Sequence, residues 1–127
     1  MTTGGGGPEN SSERSLAEVL LERSPNGIMM TAEDGRIAAI NPAVYELLPI
    51  VPGAIGRLPI QAVPVERLAS ALDPSMQEEV EFHFESGHRT ILVKVISLDA
   101  GRLAILQDVT LFAQAESHRR EFVANVS

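Results

Sequence analysis

Residues Ser24–Asn41, which read "SPNGIMMTAEDGRIAAIN", contain the clearest indication of how this chain folds. Two short apolar runs, Ile28–Thr31 and Arg36–Ile40, lie on either side of the pair Asp34 and Gly35. An Asp-Gly pair supplies the positive φ that a tight hairpin turn requires. The stretch therefore predicts two antiparallel strands joined by a short turn.

The segment after this hairpin predicts short helices. Asn41 followed by Pro42 is typical of a helix N-cap and the first helical residue. "VERLASALD" (65–73) carries its apolar side chains at helical spacing, whereas "PIVPGAIGRLPIQAVP" (49–64) is interrupted by proline and glycine. We expect short helices and irregular turns between the hairpin and the rest of the sheet.

The second half of the domain predicts three more strands. In "EVEFHF" (79–84) apolar and polar side chains alternate, which is the period of a half-buried strand. "RTILVKVISL" (89–98) and "RLAILQDVT" (102–110) follow after turn sequences. The sequence therefore predicts an α+β domain: a five-stranded antiparallel sheet with short helices on one face.

Apolar stripes mark a helix at each end of this domain. Near the N-terminus the stripe consists of Leu16, Val19 and Leu20, with Ser15 as the expected N-cap. Near the C-terminus a spacing of three and four residues, typical of a coiled coil, runs through Phe112, Ala115, Arg119, Phe122 and Val126. A helix of this length is marginal alone in water. We therefore expect a homodimer in which these two helices contact their counterparts in a second copy.

Composition narrows the classes of partner. The net charge of −7 argues against nucleic acid and anionic membranes as partners. The chain has no cysteine, which excludes disulfides, thiolate metal sites and the thiol of a covalent flavin photosensor. Since no run approaches the roughly 20 apolar residues of a membrane span, we expect a cytoplasmic protein. Any membrane anchor would lie in other parts of a longer parent.

Two motifs carry a resemblance to the PAS domain. The hairpin stretch resembles the opening of many PAS domains through Pro25, Gly27, Asp34, Gly35 and Asn41. "ILQDVT" resembles the Asp-Ile-Thr signature that closes the last PAS strand, with Asp108, Val109 and Thr110 in those places. The resemblance covers about residues 15–110 and implies a sensory domain with the predicted sheet.

The last residues resemble a second family. "RREFVANVS" (119–127) is similar to the segment directly before the phosphate-accepting histidine of sensor histidine kinases. That resemblance implies a longer protein in which the histidine follows Ser127 and a response regulator receives the phosphoryl group. The expected organisation is a disordered tail (1–14), a PAS sensory domain (15–110) and a linker helix (111–127) leading into a missing dimerisation domain.

The function implied is that of a sensory and dimerisation module of a histidine kinase, without catalysis in these residues. The resemblance makes Asp108, Val109 and Thr110 a signal-coupling joint, although the same residues could simply cap a helix. The alternative is an interaction or ligand-binding module of a transcription regulator or cyclic-dinucleotide enzyme.

Candidate ligand sites are few. His83 should point to the outer face of the sheet and His88 lies in a turn, so neither indicates a metal or haem site. A flavin would find few aromatic partners, and we expect neither cofactor. A small apolar ligand remains an alternative to a filled core for one set of residues: Met30, Tyr45, Leu48, Leu68, Leu72, Ile91, Val93, Leu103 and Ile105.

Overall fold

The computed structural model describes the backbone of residues 16–126 and the side chains of residues 16–120. The predicted disordered tail and Ser15 therefore lie outside the described residues, as do the side chains of Phe122 and Val126. Among the helices of the described part, none combines the length and apolar character needed to cross a membrane.

The predicted five-stranded antiparallel sheet is confirmed, with spatial strand order β2-β1-β5-β4-β3. The strands are β1 (Gly27–Thr31), β2 (Ile37–Ile40), β3 (Val80–Ser86), β4 (Arg89–Ser97) and β5 (Arg102–Asp108). Gly35 turns the β1–β2 hairpin with φ 88°, as the Asp-Gly pair predicts. Gly101 is also required as glycine, because a Cβ there would lie 1.9 Å from the Thr31 carbonyl oxygen.

Short helices fill the chain between β2 and β3, as predicted. These are α2 (Pro42–Leu47), α3 (Pro59–Ala62) and α4 (Glu66–Ala71). Two further helices flank the sheet in sequence: α1 (16–23) precedes β1, and α5 (Thr110–Val126) follows β5. Pro42 is the first residue of α2, where a missing N–H costs nothing. Val44 and Leu47 of α2 and Leu68 and Ala71 of α4 belong to one core cluster with the sheet.

Strand pairing determines which side chains enter this core. On β5, Ala104 and Leu106 are buried, and they pair with the buried Val95 and Val93 of β4. Their neighbours Leu103 and Ile105 lie on the opposite face, because successive side chains of a strand alternate. That outer face is only half-buried within the described part of the chain.

The two flanking helices, α1 and α5, join the sheet at the same end of its strands. Gly27, at the start of β1, pairs with Leu106, near the end of β5. α1 precedes β1 by a short turn and α5 follows β5 directly. The last residues of α1 and the first residues of α5 therefore lie near the same end of the paired strands β1 and β5.

Candidate functional site

The joint between β5 and α5 is built around the carboxylate of Asp108. The main-chain N–H of Thr110 donates to Asp108 Oδ1 at 2.9 Å, and the Thr110 hydroxyl donates to the same oxygen. The first helical hydrogen bond follows, from the Ala113 N–H to the Val109 carbonyl at 2.9 Å. Asp108 thus satisfies an N–H of the first turn that has no partner within the helix.

The same joint is bonded to the neighbouring strand. The Thr110 hydroxyl accepts the Thr90 N–H at 2.9 Å, while the Val109 N–H donates to the Thr90 carbonyl at 2.8 Å. Thr90 belongs to β4, so the first residues of α5 are held by two adjacent strands. A change in how β4 and β5 pair would therefore reach the start of α5 directly.

Arg89 connects this joint to a third element. Its Nε lies 3.8 Å from Asp108 Oδ2, with both side chains roughly half exposed. Its Nη1 donates to the main-chain carbonyl of Glu46, in the last turn of α2, at 2.8 Å. One guanidinium thus reaches both the cap of α5 and the end of α2.

The electrostatic state of the joint follows from these bonds. The hydroxyl of Thr110, then its main-chain N–H, lower the pKa of Asp108 below the ordinary aspartate value, and the charge of Arg89 adds to that effect. Partial burial opposes the shift. Asp108 is therefore an anion at neutral pH, and its charge strengthens the two hydrogen bonds that it accepts from Thr110.

A second polar anchor holds α1 at the same end of the strands. Asn41 is buried, and its Oδ1 accepts the Ile28 N–H at 2.8 Å. Its Nδ2 donates to the carbonyls of Leu21 and Asn26, each at 2.9 Å. Asn41 does occupy the N-cap position of α2, but its side chain binds β1 and the end of α1 instead of capping α2.

The residues predicted to face a second copy are exposed where the structure describes them. Leu20 is 64% exposed and Phe112 is 68% exposed, and Leu16, Val19 and Ala115 are exposed as well. Arg119, the polar member of the coiled-coil spacing, donates to Glu116 of its own helix at 2.8 Å. The structure contains one chain, so the dimer itself remains a prediction.

The nine residues considered as a pocket or core do not lie together. Leu48, Leu68, Leu72, Ile91 and Val93 are buried members of the core cluster.

The other four need correction. Met30, Leu103 and Ile105 lie on the outer face of the sheet, because the residues that alternate with them, Met29 among them, point inward. Tyr45 is 48% exposed, since Ala43, Val44 and Leu47 form the buried side of α2. A pocket lined by all nine is therefore wrong.

The histidines stand where the sequence placed them, His83 exposed on the outer face of β3 and His88 exposed in the β3–β4 turn. Within residues 16–120 no group of three or more His, Asp or Glu side chains has metal-binding geometry.

Arg102 is a structural residue that sequence reasoning missed. It is 1% exposed, and within the described residues it forms no ion pair with a carboxylate. Its guanidinium donates to the carbonyls of Ala71, Met76 and Glu78 and to the Ser97 hydroxyl. Alternation on β5 could not have identified it, because Leu103 to Leu106 are apolar on both faces and only strand pairing places Arg102 on the inward face with Ala104 and Leu106.

Comparison with solved structures shows what the chain is similar to. The PAS domain of BvgS from Bordetella pertussis matches with a TM-score of 0.61 and 17% identity, over 94% of this chain and 99% of that one. The C-terminal domain of a protein from Streptococcus mutans matches with a TM-score of 0.61 and 19% identity, over 80% and 89% of the two chains.

Two further structures match less closely. The PAS domain of an HTR-like protein from Haloarcula marismortui has a TM-score of 0.52 and 21% identity, over 77% of this chain and 98% of that one. The DhaR(N)–DhaL complex of E. coli matches with a TM-score of 0.52 and 24% identity, over 80% of this chain and 37% of that one.

Comparison of the sequence with protein-family models and with curated proteins finds no match. Identities below 25% establish architecture and nothing finer. The likeness to PAS domains, together with the strand order and the helices between β2 and β3, leads to one conclusion: this chain has the PAS-like α+β fold.

Proposed function

We propose that the chain is the sensory and dimerisation module of a two-component sensor histidine kinase that works in the cytoplasm. In this proposal the kinase part belongs to a longer protein, which phosphorylates its own histidine and passes the phosphoryl group to a response regulator. The module itself performs no catalysis. It changes how two copies of α5 are held, and so controls autophosphorylation.

The observation that carries this proposal is the joint at Asp108–Thr110. The start of α5 is bonded to β4 and β5 through a few half-exposed polar groups, and the apolar side chains of Leu111 and Phe112 beside them are exposed. Such a joint can take a second arrangement at a cost of a few kcal/mol. The 17-residue helix that follows would carry a rotation or tilt away from the sheet.

A substitution in the longer protein tests the coupling role. Asp108→Ala removes the acceptor of both Thr110 donors, so we expect autophosphorylation to change severalfold while the fold is retained. Radiolabel incorporation from ATP measures the effect, and circular dichroism checks the fold.

The chain offers a matched control at Asp73, whose Oδ1 also accepts the N–H and hydroxyl of the residue two positions later. Asp73→Ala should leave autophosphorylation unchanged. If Asp108→Ala behaves like Asp73→Ala, the coupling role is wrong.

A second candidate is an interaction module of a transcription regulator or cyclic-dinucleotide enzyme. It is favoured by one neighbour in fold, since the E. coli structure is of a complex between DhaR(N) and DhaL. The residues that follow Ser127 in the longer protein distinguish the two. A His-Glu-Leu-Arg-Thr-Pro string supports the kinase, whereas a DNA-binding or cyclase domain supports the second candidate.

A further inference from the structure

We infer that Arg89 is a positioning residue that transmits displacement of α2 to the first turn of α5. This inference deepens the proposed function and rests on it. In this inference α2 moves when the packing of the core changes, and Arg89 connects that movement to the start of α5.

α2 is held in place by its buried side chains. Val44 and Leu47 belong to the core cluster that includes residues of the sheet. The helix has six residues, and the chain beyond it is extended at Leu48. A short helix held mainly by core packing moves when that packing changes, and its last carbonyls move with it.

Arg89 is held by its bond to the end of α2. The Glu46 carbonyl lies in the last turn of a helix, where carbonyls have no partner within the helix and carry partial negative charge. Arg89 Nη1 donates to it at 2.8 Å, whereas Arg89 Nε lies 3.8 Å from Asp108 Oδ2. In this arrangement the guanidinium is bonded to α2 and only approaches Asp108.

The Glu46 carbonyl and the Asp108 carboxylate compete for the guanidinium of Arg89. The planar group of arginine is rigid, so a shift toward one acceptor moves it away from the other. Loss of the Glu46 bond frees Arg89 to pair fully with Asp108. Asp108 also accepts the N–H and hydroxyl of Thr110, so a closer Arg89 changes how firmly it holds the first turn of α5.

Access to this contact is open. A surface groove of about 400 Å³ is lined by Tyr45, Glu46 and Arg89, together with residues of the β3–β4 turn. Both the end of α2 and the guanidinium border this groove. A change in α2 can therefore release Arg89 without unfolding the core.

The experiment compares two substitutions of the exposed Tyr45 in the 127-residue chain. Tyr45→Gly loosens α2 because glycine disfavours helix, whereas Tyr45→Ala removes the same side chain and keeps the helix. Amide hydrogen exchange at Thr110 is measured by NMR in each. We expect the two rates to differ by at least about twofold, as for residues in one hydrogen-bonded network.

The same pair of substitutions is repeated with Arg89→Gln and with Arg89→Lys. Either change at Arg89 should reduce the difference in exchange rate to within error. Arg89→Lys should do so because an ammonium group lacks the planar fork that reaches both acceptors. Arg36→Gln is the matched control. Arg36 also donates to a main-chain carbonyl, that of Gly56, and lies 3.8 Å from Asp34, but away from the joint.

Three outcomes overturn the inference. The exchange rate at Thr110 could be the same in the two Tyr45 variants, or the difference in rate could persist after Arg89 is replaced. The difference could also disappear in Arg36→Gln. None of these involves a kinase, so the proposed function is judged separately by Asp108→Ala. A relay through Arg89 with unchanged autophosphorylation would contradict the kinase role alone.

Discussion

At the scale of single residues, the hydroxyl of Thr110 has two partners with different consequences. It donates to Asp108 and accepts the N–H of Thr90. The first bond is the largest cause of the lowered Asp108 pKa. A group whose pKa is lowered by folding contributes stability above its ordinary pKa and loses it as pH falls through the lowered one.

This gives a prediction for Thr110→Val. Removing the hydroxyl should raise the pKa of Asp108 toward the ordinary aspartate value, although the main-chain N–H still donates to it. A titration of the Asp108 carboxyl carbon by NMR measures the change. Ser75→Ala serves as the control, since it should raise the pKa of Asp73 and leave that of Asp108 as it was. A downward shift in Thr110→Val would contradict the assignment.

Arg102 carries the largest predicted effect on stability. In Arg102→Met three main-chain carbonyls lose their donor, those of Ala71, Met76 and Glu78. The bond to Ala71 is buried and the other two are half-buried, and acceptors that lose a donor away from water are costly, so we expect the free energy of unfolding to fall by about 3 kcal/mol. Urea denaturation followed by circular dichroism measures it.

The control for that measurement is Arg57→Met. Arg57 is exposed, and its Nε donates to the carbonyl of Gly53 at 3.2 Å. A surface change of this kind should alter the free energy of unfolding by less than about 0.5 kcal/mol. Equal losses in both variants would mean that the bonds of Arg102 contribute little beyond those of a surface arginine.

At the scale of elements, α5 is attached to the sheet at its start, and most of its next residues are exposed. Phe112 and Ala115 are exposed, whereas Ala113 and Glu116 are half-buried. Phe112 and Ala115 belong to the coiled-coil spacing predicted from the sequence. The side of α5 that carries these two residues is therefore accessible.

Dimerisation through this side is tested with Phe112→Glu. A charge at a coiled-coil core position should shift the protein toward monomer, because it would be desolvated on pairing. Size-exclusion chromatography with light scattering over a range of concentrations gives the mass. Gln114→Glu adds the same charge to the same helix off the apolar spacing and should remain dimeric. A native chain that stays monomeric at the highest concentration would refute the proposed dimer.

Strand faces show where local patterns succeed and fail. On β3 the alternation of Phe82 with polar neighbours predicts correctly which side is buried. On β5 the residues Leu103 to Leu106 are all apolar, and Met30 likewise follows apolar neighbours, so alternation alone does not distinguish the two faces. There the pairing with neighbouring strands decides, and a shift of one residue reverses the whole face.

At the scale of the whole molecule, the contacts that matter for the proposed function join distant parts of the chain. Arg89 and Glu46 are 43 positions apart, and Arg102 and Ala71 are 31 apart. The joint, the end of α2 and the anchor of α1 at Asn41 all involve different segments. Their proximity follows from the order in which the strands pair, with β5 between β1 and β4.

Local patterns in the sequence specify the number of strands, the hairpin at Gly35, the short helices after Asn41 and the position of the helix that follows Asp108. These depend on neighbouring residues, through turn geometry and the period of apolar side chains. Strand pairing and packing in three dimensions specify the rest: which face of β5 is buried, that Tyr45 points outward, and that Arg89 and Arg102 meet carbonyls far along the chain. The physical reason is that burial and long-range hydrogen bonds depend on strand register and order, which no short stretch specifies.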